Sequence, residues 1–492
     1  SSAFYSATGL NKINFPNSVE TIGSYAFYNT KALLQLPISN ESKLYKIDEY
    51  AFASSGITEI FIPKGVNTLG TNIFDSALSL SKVEFDKDIK LTIISNRMFY
   101  NTPALKTIEL PRTITQIDPY AFASSGLVKL DIPYGVTRIS EYAMSNMKSL
   151  VEVSIPVTVT TFGEGVLRYS TNIQTLTTPG HYQVVKLFYQ SSDMSKVLTK
   201  VNVSSGSTSV TSSFLSGITS VVEVVLPSSV TSIGSSAFYS ATGLKHINIP
   251  DNVTTIGSYA FYNTKALANI SFGTNTKLTT INNNAFEGSG ITSIVIPKTV
   301  TTIGSYAFYN TKSLISAKFE SGTQIKSLPE GMFNGSNITS FVVPNSVTSI
   351  GSNAFASCAN LKVIYIPNSV TSFGDHILRY CYNLEELTVP GSYRVINLFY
   401  RASDMSSVLI KVNVAPGSTS VTSSFLSGIT TVKEVILLNG ITSIGSSAFY
   451  GMTNLEYINI PTTVTSIASS AFENTPKLTI DLMNTNYKFT TI

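Results

Sequence analysis

Along most of the chain, apolar side chains recur in short alternating runs. In LKHINIP (244–250), Leu244, Ile247 and Ile249 can face one side while His246 and Asn248 face the other, the period of a half-buried strand. Pro250 ends that strand because it lacks the N–H a continuing ladder needs. The same Pro recurs at Pro16, Pro63, Pro111, Pro133, Pro156, Pro227, Pro297, Pro344, Pro367 and Pro461. After a polar turn, VTTI (253–256) predicts a second brief strand. Gly257 predicts a bend at positive φ, with Gly23, Gly70, Gly234, Gly304, Gly351 and Gly445 at the same phase. SYAFYNTKAL (258–267) then turns back with Ala260, Phe261 and Leu267 inward. One such unit cannot bury its own apolar side, but a stack of them can.

The unit is repeated throughout. VTSIGSSAF (230–238) returns at 441–449 with only its first residue changed to Ile441. The apolar residue closing each such phrase forms a series of anchors from Phe4, Phe27 and Phe52 to Phe449 and Phe472, at intervals of 22, 23 or 25 residues. The intervals Leu167–Leu215 and Leu378–Leu426 are 48 residues, each two units with a degenerate one inside. About 21 rungs follow, within the 20–29-residue window of leucine-rich repeats. The expected fold is a β-rich solenoid with short strands on two faces, a gently curved rod ~100 Å long at one strand spacing per rung. The block from FGEGVLRY (162–169) to VTSSFLSGIT (210–219) reappears 211 residues later. This predicts one continuous array over 1–492 with internal super-repeats of about 1–214 and 215–425 and a partial third over 426–492. The degenerate units fall near 179–203 and 390–414.

The phrase LxxIxIPxxVxxIGxxAF resembles the BspA-like, or Treponema pallidum-type, leucine-rich repeat, and the resemblance covers essentially the whole chain. It implies a surface-exposed or secreted adhesion or interaction protein, of bacteria or of some parasitic protists, rather than an enzyme. Here the column three residues after the anchor is mostly Thr, Ser and Ala, where that family often has Cys.

Composition narrows the partners. Charged residues are 13% of the chain and hydrophobic ones 43%, so the core is ample and the surface is covered by Ser, Thr, Asn and Tyr. A net charge of +4 with no Lys or Arg run offers no electrostatic footprint for nucleic acid or an anionic membrane. No stretch reaches the ~18 consecutive apolar residues of a spanning helix. The chain opens on SSAFYSATGL, inside a repeat, and ends on PKLTIDLMNTNYKFTTI (476–492), which keeps a strand pattern in LTIDL. Both features predict an array that continues in a longer protein or stacks end to end through uncapped rungs.

Catalytic, cofactor-binding and metal-binding residues are not predicted. His181, His246 and His376 sit where other rungs carry ordinary polar residues, and no nucleophile, phosphate-loop or zinc motif occurs. Cys358 and Cys381 lie one unit apart, so stacking places them roughly 5 Å apart, close enough for a disulfide. The alternative is a pair of stacked thiols filling the column occupied elsewhere by Thr102, Thr264, Thr311 and Ser336.

Surface columns remain. Glu84, Glu109 and Asp131 predict an acidic strip on three successive strands, and Val295, Val342, Val363 and Tyr365 an apolar patch able to accept a partner. Tyr25, Tyr50, Tyr120, Tyr142, Tyr259 and Tyr306 share one column, and Tyr5, Tyr28, Tyr100, Tyr239, Tyr262, Tyr309 and Tyr450 another. They are either recognition surface for protein or glycan or a ladder that stiffens the stack. Six N-x-S/T sequons, at Asn40, Asn202, Asn252, Asn269, Asn334 and Asn337, fit an extracellular protein. The expected function is adhesion or interaction at a cell surface or outside the cell. The alternative is a structural subunit assembling into a filament or coat.

Overall fold

The computed structural model describes residues 1–190, 192, 194, 196–400, 405, 407–480 and 490. The chain is a β-solenoid of about 19 turns, close to the rung number expected, and its two compact units are Ser1–Val230 and Thr231–Ile492.

Each rung follows the alternation of its sequence. Strand His246–Ile249 exposes His246 and Asn248, buries Ile247 and Ile249, and stops before Pro250. The carbonyl of Pro250 then accepts the N–H of Val253 at 3.1 Å, closing a tight turn that leads into the two-residue strand Thr255–Ile256. The anchor segment runs back as linked turns. Phe261 N–H donates to Ala285 O of the following rung at 2.7 Å, while Tyr262 N–H donates to Tyr259 O at 3.1 Å. Strand pairing is parallel throughout.

In the first unit the wider sheet face holds strands Glu59–Ile62 and Lys82–Phe85 as one pair. A second run comprises Lys129–Asp131, Glu152–Ser154, Thr175–Thr178, Lys200–Val203 and Glu223–Val225. In the second unit, His246–Ile249 pairs with Asn269–Phe272, and eight strands run from Ser293–Ile296 to Tyr457–Asn459.

The core is a stack of anchors. Phe27, Phe52, Phe74, Phe99 and Phe122 lie with successive ring centroids 5.3, 5.7, 5.6 and 5.4 Å apart. Phe238, Phe261, Phe286, Phe308, Phe333 and Phe355 repeat the arrangement in the second unit at 5.0 to 5.8 Å. Removing one fully buried ring is expected to cost ~3–5 kcal/mol.

The glycine column is there for a reason other than the one expected. Gly257, Gly70, Gly304, Gly351 and Gly445 are absent from the left-handed residues, so the bend needs no positive φ. A Cβ at Gly70 would lie 2.4 Å from Glu49 N, and one at Gly445 2.5 Å from Ser423 N. The column is glycine because the backbone of the preceding rung passes directly beneath it. Left-handed geometry falls instead two residues either side of every anchor, as at Tyr25 and Asn29 around Phe27 or Tyr259 and Asn263 around Phe261. Asn, Ser and Gly dominate these places because they tolerate that region best.

The two degenerate units keep their wider strands, Thr175–Thr178 and Glu386–Val389, but form no second strand and build the anchor segment from one helical turn, Val184–Leu187 and Val395–Leu398, bonded to the anchor segments on either side. Parts of both, at 191, 193, 195, 401–404 and 406, lie outside the described residues. So do Asp481 and Leu482 of the final strand pattern LTIDL, whose described residues 478–480 form no strand.

Candidate functional site

On most of the wider sheet face, charges neutralise one another from rung to rung. Lys129 pairs with Glu152 at 3.0 Å, Lys200 with Glu223 at 2.9 Å, Lys362 with Glu385 at 3.1 Å and Lys411 with Glu434 at 3.6 Å. Such exposed pairs contribute little stability each, but they leave a face with no net field. The expected acidic strip dissolves for the same reason. Glu84 is bonded to Lys82 at 2.8 Å and Asp131 lies 3.5 Å from Lys129, while the wider-face segment that holds Glu109 forms no strand.

One stretch of the second unit departs from this pattern. From strand Ser293–Ile296 to strand Val363–Tyr365, one outward column reads Ser293, Ser316, Ser340, Val363 and the other Val295, Lys318, Val342, Tyr365. Val342 is 66% exposed and directly opposite Tyr365, with Val363, 40% exposed, on the same face. These three come together. Val295, 46% exposed, stands apart because Lys318 intervenes.

Beside this patch the ladder thins. Strands Ser316–Phe319 and Ser340–Val342 pair only at Ser316 and Ser340, opening a groove of about 690 Å³ lined by Phe319, Glu320, Phe341 and Val342. A smaller one of about 370 Å³ opens between Phe272 and Val295. Grooves in the first unit lie at Gln35–Ile38, at Lys82–Thr113 and at Ile108–Gly135.

Apart from the groove at Ile108–Gly135, these share one feature. Each begins at a rung whose anchor interval is 25 residues, Phe27–Phe52, Phe74–Phe99, Phe261–Phe286 or Phe308–Phe333. In three of them the Ile-Pro that closes a regular strand is replaced by Phe85-Asp86, Phe272-Gly273 or Phe319-Glu320. Ile62, Ile249 and Ile296 are fully buried at that position, whereas the larger Phe rings stay half out. The lengthened turn then leaves the strand end untied to the next rung. The interval length was visible in the sequence as the signal for these grooves.

The tyrosine columns form short stacks, not one ladder. Tyr25 stacks on Tyr50 at 4.9 Å, and Tyr28 on Tyr5 at 5.0 Å, with Tyr25 and Tyr28 edge to face at 5.6 Å. Tyr259 and Tyr262 meet the same way at 5.8 Å, as do Tyr306 and Tyr309 at 5.7 Å. The intervening rung carries Asn284 and Glu287 and separates these two clusters. A hydrogen bond from the Tyr306 hydroxyl to the Glu330 carboxylate pushes its pKa up to about 12.

Cys358 and Cys381 are free and fully buried. Each thiol donates to the preceding anchor carbonyl, Cys358 to Phe333 O at 3.2 Å and Cys381 to Phe355 O at 3.1 Å. Thr102, Thr264 and Thr311 bond instead to their own anchors. Burial pushes the Cys358 thiol up to about 12 and raises that of Cys381 well above its ordinary value, so neither is a reactive thiolate at neutral pH. Among the described residues no group of three or more His, Cys, Asp and Glu could hold a metal ion, and no helix is long and apolar enough to cross a membrane.

Together these rungs match the BspA type leucine rich repeat region over 1–92, 88–195, 185–314, 279–405 and 399–491. The chain belongs to this family. Solved structures of similar leucine-rich chains include a leucine rich cell surface protein of Faecalibacterium prausnitzii, 23% identical. That match covers 74% of this chain and 92% of that one, with a TM-score of 0.34. A leucine-rich repeat protein of Bacteroides ovatus is 19% identical over 98% of this chain and 97% of its own, with a TM-score of 0.31. The T. pallidum leucine rich repeat protein is 18% identical over 52% and 78%, with a TM-score of 0.21. No curated protein gives a significant match.

Proposed function

We propose that this BspA-type chain is a non-enzymatic interaction module, displayed on a cell surface or secreted, that recognises a protein or glycan through the uncharged part of its second unit. The observation that carries the reading is the exposure of Val342 beside Val363 and Tyr365, on a face whose other rungs are occupied largely by polar and charge-paired side chains. Apolar surface kept in water on adjoining rungs of a largely polar sheet is what a partner would cover. The adjoining groove at Phe319 and Phe341 adds depth for a protruding side chain or sugar. The tyrosine clusters stack chiefly on each other and have a stiffening part here.

The test is to array extracellular proteins and glycans against the chain and against the double variant Val342→Glu/Val363→Glu, with circular dichroism confirming that both fold. Ligands of the native chain should lose about tenfold or more in affinity, as for charge placed at an apolar contact centre. Equal binding by the variant would remove this face from the function.

A further inference from the structure

A broad groove in the first unit surrounds a rung whose main chain is unbonded on the wider face, from Thr107 to Leu110. Among the described residues, no backbone N–H or C=O of Thr107, Ile108, Glu109 or Leu110 has a hydrogen-bond partner. On one side, strand Lys82–Phe85 pairs only with Glu59–Ile62. On the other, strand Lys129–Asp131 pairs only with Glu152–Ser154. Both therefore present an open edge towards the same rung. The space is about 890 Å³ on the Lys82 side and about 640 Å³ on the Asp131 side.

The rest of the rung is not loose. Val128 N–H still donates to Lys106 O at 3.1 Å, Phe99 N–H to Ala121 O at 2.8 Å, and Gln116–Ile117 pairs on both sides. Thr107 to Leu110 also keeps the alternation of a strand, with Thr107 and Glu109 exposed and Leu110 buried. It is held in strand phase by its neighbours while its own donors and acceptors stay open.

We propose that this rung is a strand-addition site for an extended polypeptide segment carrying a Lys or Arg. An extended main chain supplies the alternating donors and acceptors that these four residues lack, which is the physical basis of strand addition. Glu109 sets the charge: it is exposed and makes no ion pair, whereas Glu84 and Asp131 are held by Lys82 and Lys129. The site is independent of the Val342 face and stands or falls without it.

The experiment uses the full chain and a randomised octapeptide library with one fixed Lys or Arg, read by fluorescence anisotropy and then by hydrogen exchange. Binding peptides should slow exchange at the amides of 107–110. Their affinity should fall about tenfold for Glu109→Lys, and stay unchanged for Val342→Glu. N-methylation of alternate peptide amides should abolish binding, which a side-chain-only contact would tolerate. A library without binders, binders that leave 107–110 unprotected, or binding indifferent to N-methylation would each overturn the proposal.

Discussion

The rungs from Val363 to Asn459 and those from Lys82 to Asp131 are variants of one repeat built on buried apolar anchors, yet their sheets differ. In the first stretch each strand pairs with the next, Val363–Tyr365 with Glu386–Val389, then Lys411–Val414, Glu434–Ile436 and Tyr457–Asn459. In the second the ladder is interrupted around Thr107–Leu110. The interruption begins at a turn two or three residues longer than its neighbours, with Phe85 in place of a buried Ile-Pro. The anchor stack carries stability in both stretches, and turn length decides whether the wider face is closed or open.

The strongest challenge to this comparison is at the anchors. Phe99 in the open stretch and Phe449 in the closed one are both fully buried and stacked. Replacing either with Ala should lower unfolding free energy by ~3–5 kcal/mol in a urea titration. A much smaller loss for Phe99→Ala would mean that the open stretch is loose throughout and not on one face alone.

Next come the glycines. Gly70→Ala and Gly445→Ala should each cost ~1–3 kcal/mol, because the added methyl meets the backbone of the preceding rung. A neutral Gly70→Ala would show that the rungs just ahead of the open stretch have room to separate.

A sharper variant shortens the turn, exchanging Phe85–Lys90 for Ile-Pro-Asn-Ser and so restoring the Pro-x-x-Val type of turn ahead of Leu91. The result expected is slower amide exchange at 107–110 and a gain of ~1 kcal/mol as new ladder bonds form. Unchanged exchange would separate turn length from the interruption.

The smallest effect concerns the thiols. Cys358→Thr should change stability by no more than ~0.5 kcal/mol near neutral pH, since Thr fills the same column elsewhere. Its signature is in alkali. The native thiol titrates near 9 in the unfolded chain and is pushed up to about 12 when buried, so its contribution is full below 9 and is lost as pH rises towards 12. The Thr variant should lose less stability across that window.

Much of this architecture was legible in the chain. The alternation of LKHINIP set strand His246–Ile249 and its end at Pro250, and the spacing of Phe238, Phe261 and Phe286 set the stack. Gly257 was misread because sequence shows that a side chain is absent without showing whether φ or space demands it. Left-handed geometry falls on Tyr25 and Tyr259, residue types that give no warning of it. The sequence placed Val295, Val342, Val363 and Tyr365 on one outward face, but pairing register decides that Val342 meets Tyr365 while Lys318 isolates Val295. The grooves depend on whether neighbouring rungs remain bonded, and that is a property of two rungs together that no single repeat displays.

Hydrogen exchange on the free, full chain tests the comparison most directly. Amides of Thr107–Leu110 should exchange near the rate of unstructured peptide, while those of Lys411–Val414 and Glu434–Ile436 exchange orders of magnitude more slowly. Equal, strong protection at both would contradict an open ladder, and with it the role given to turn length.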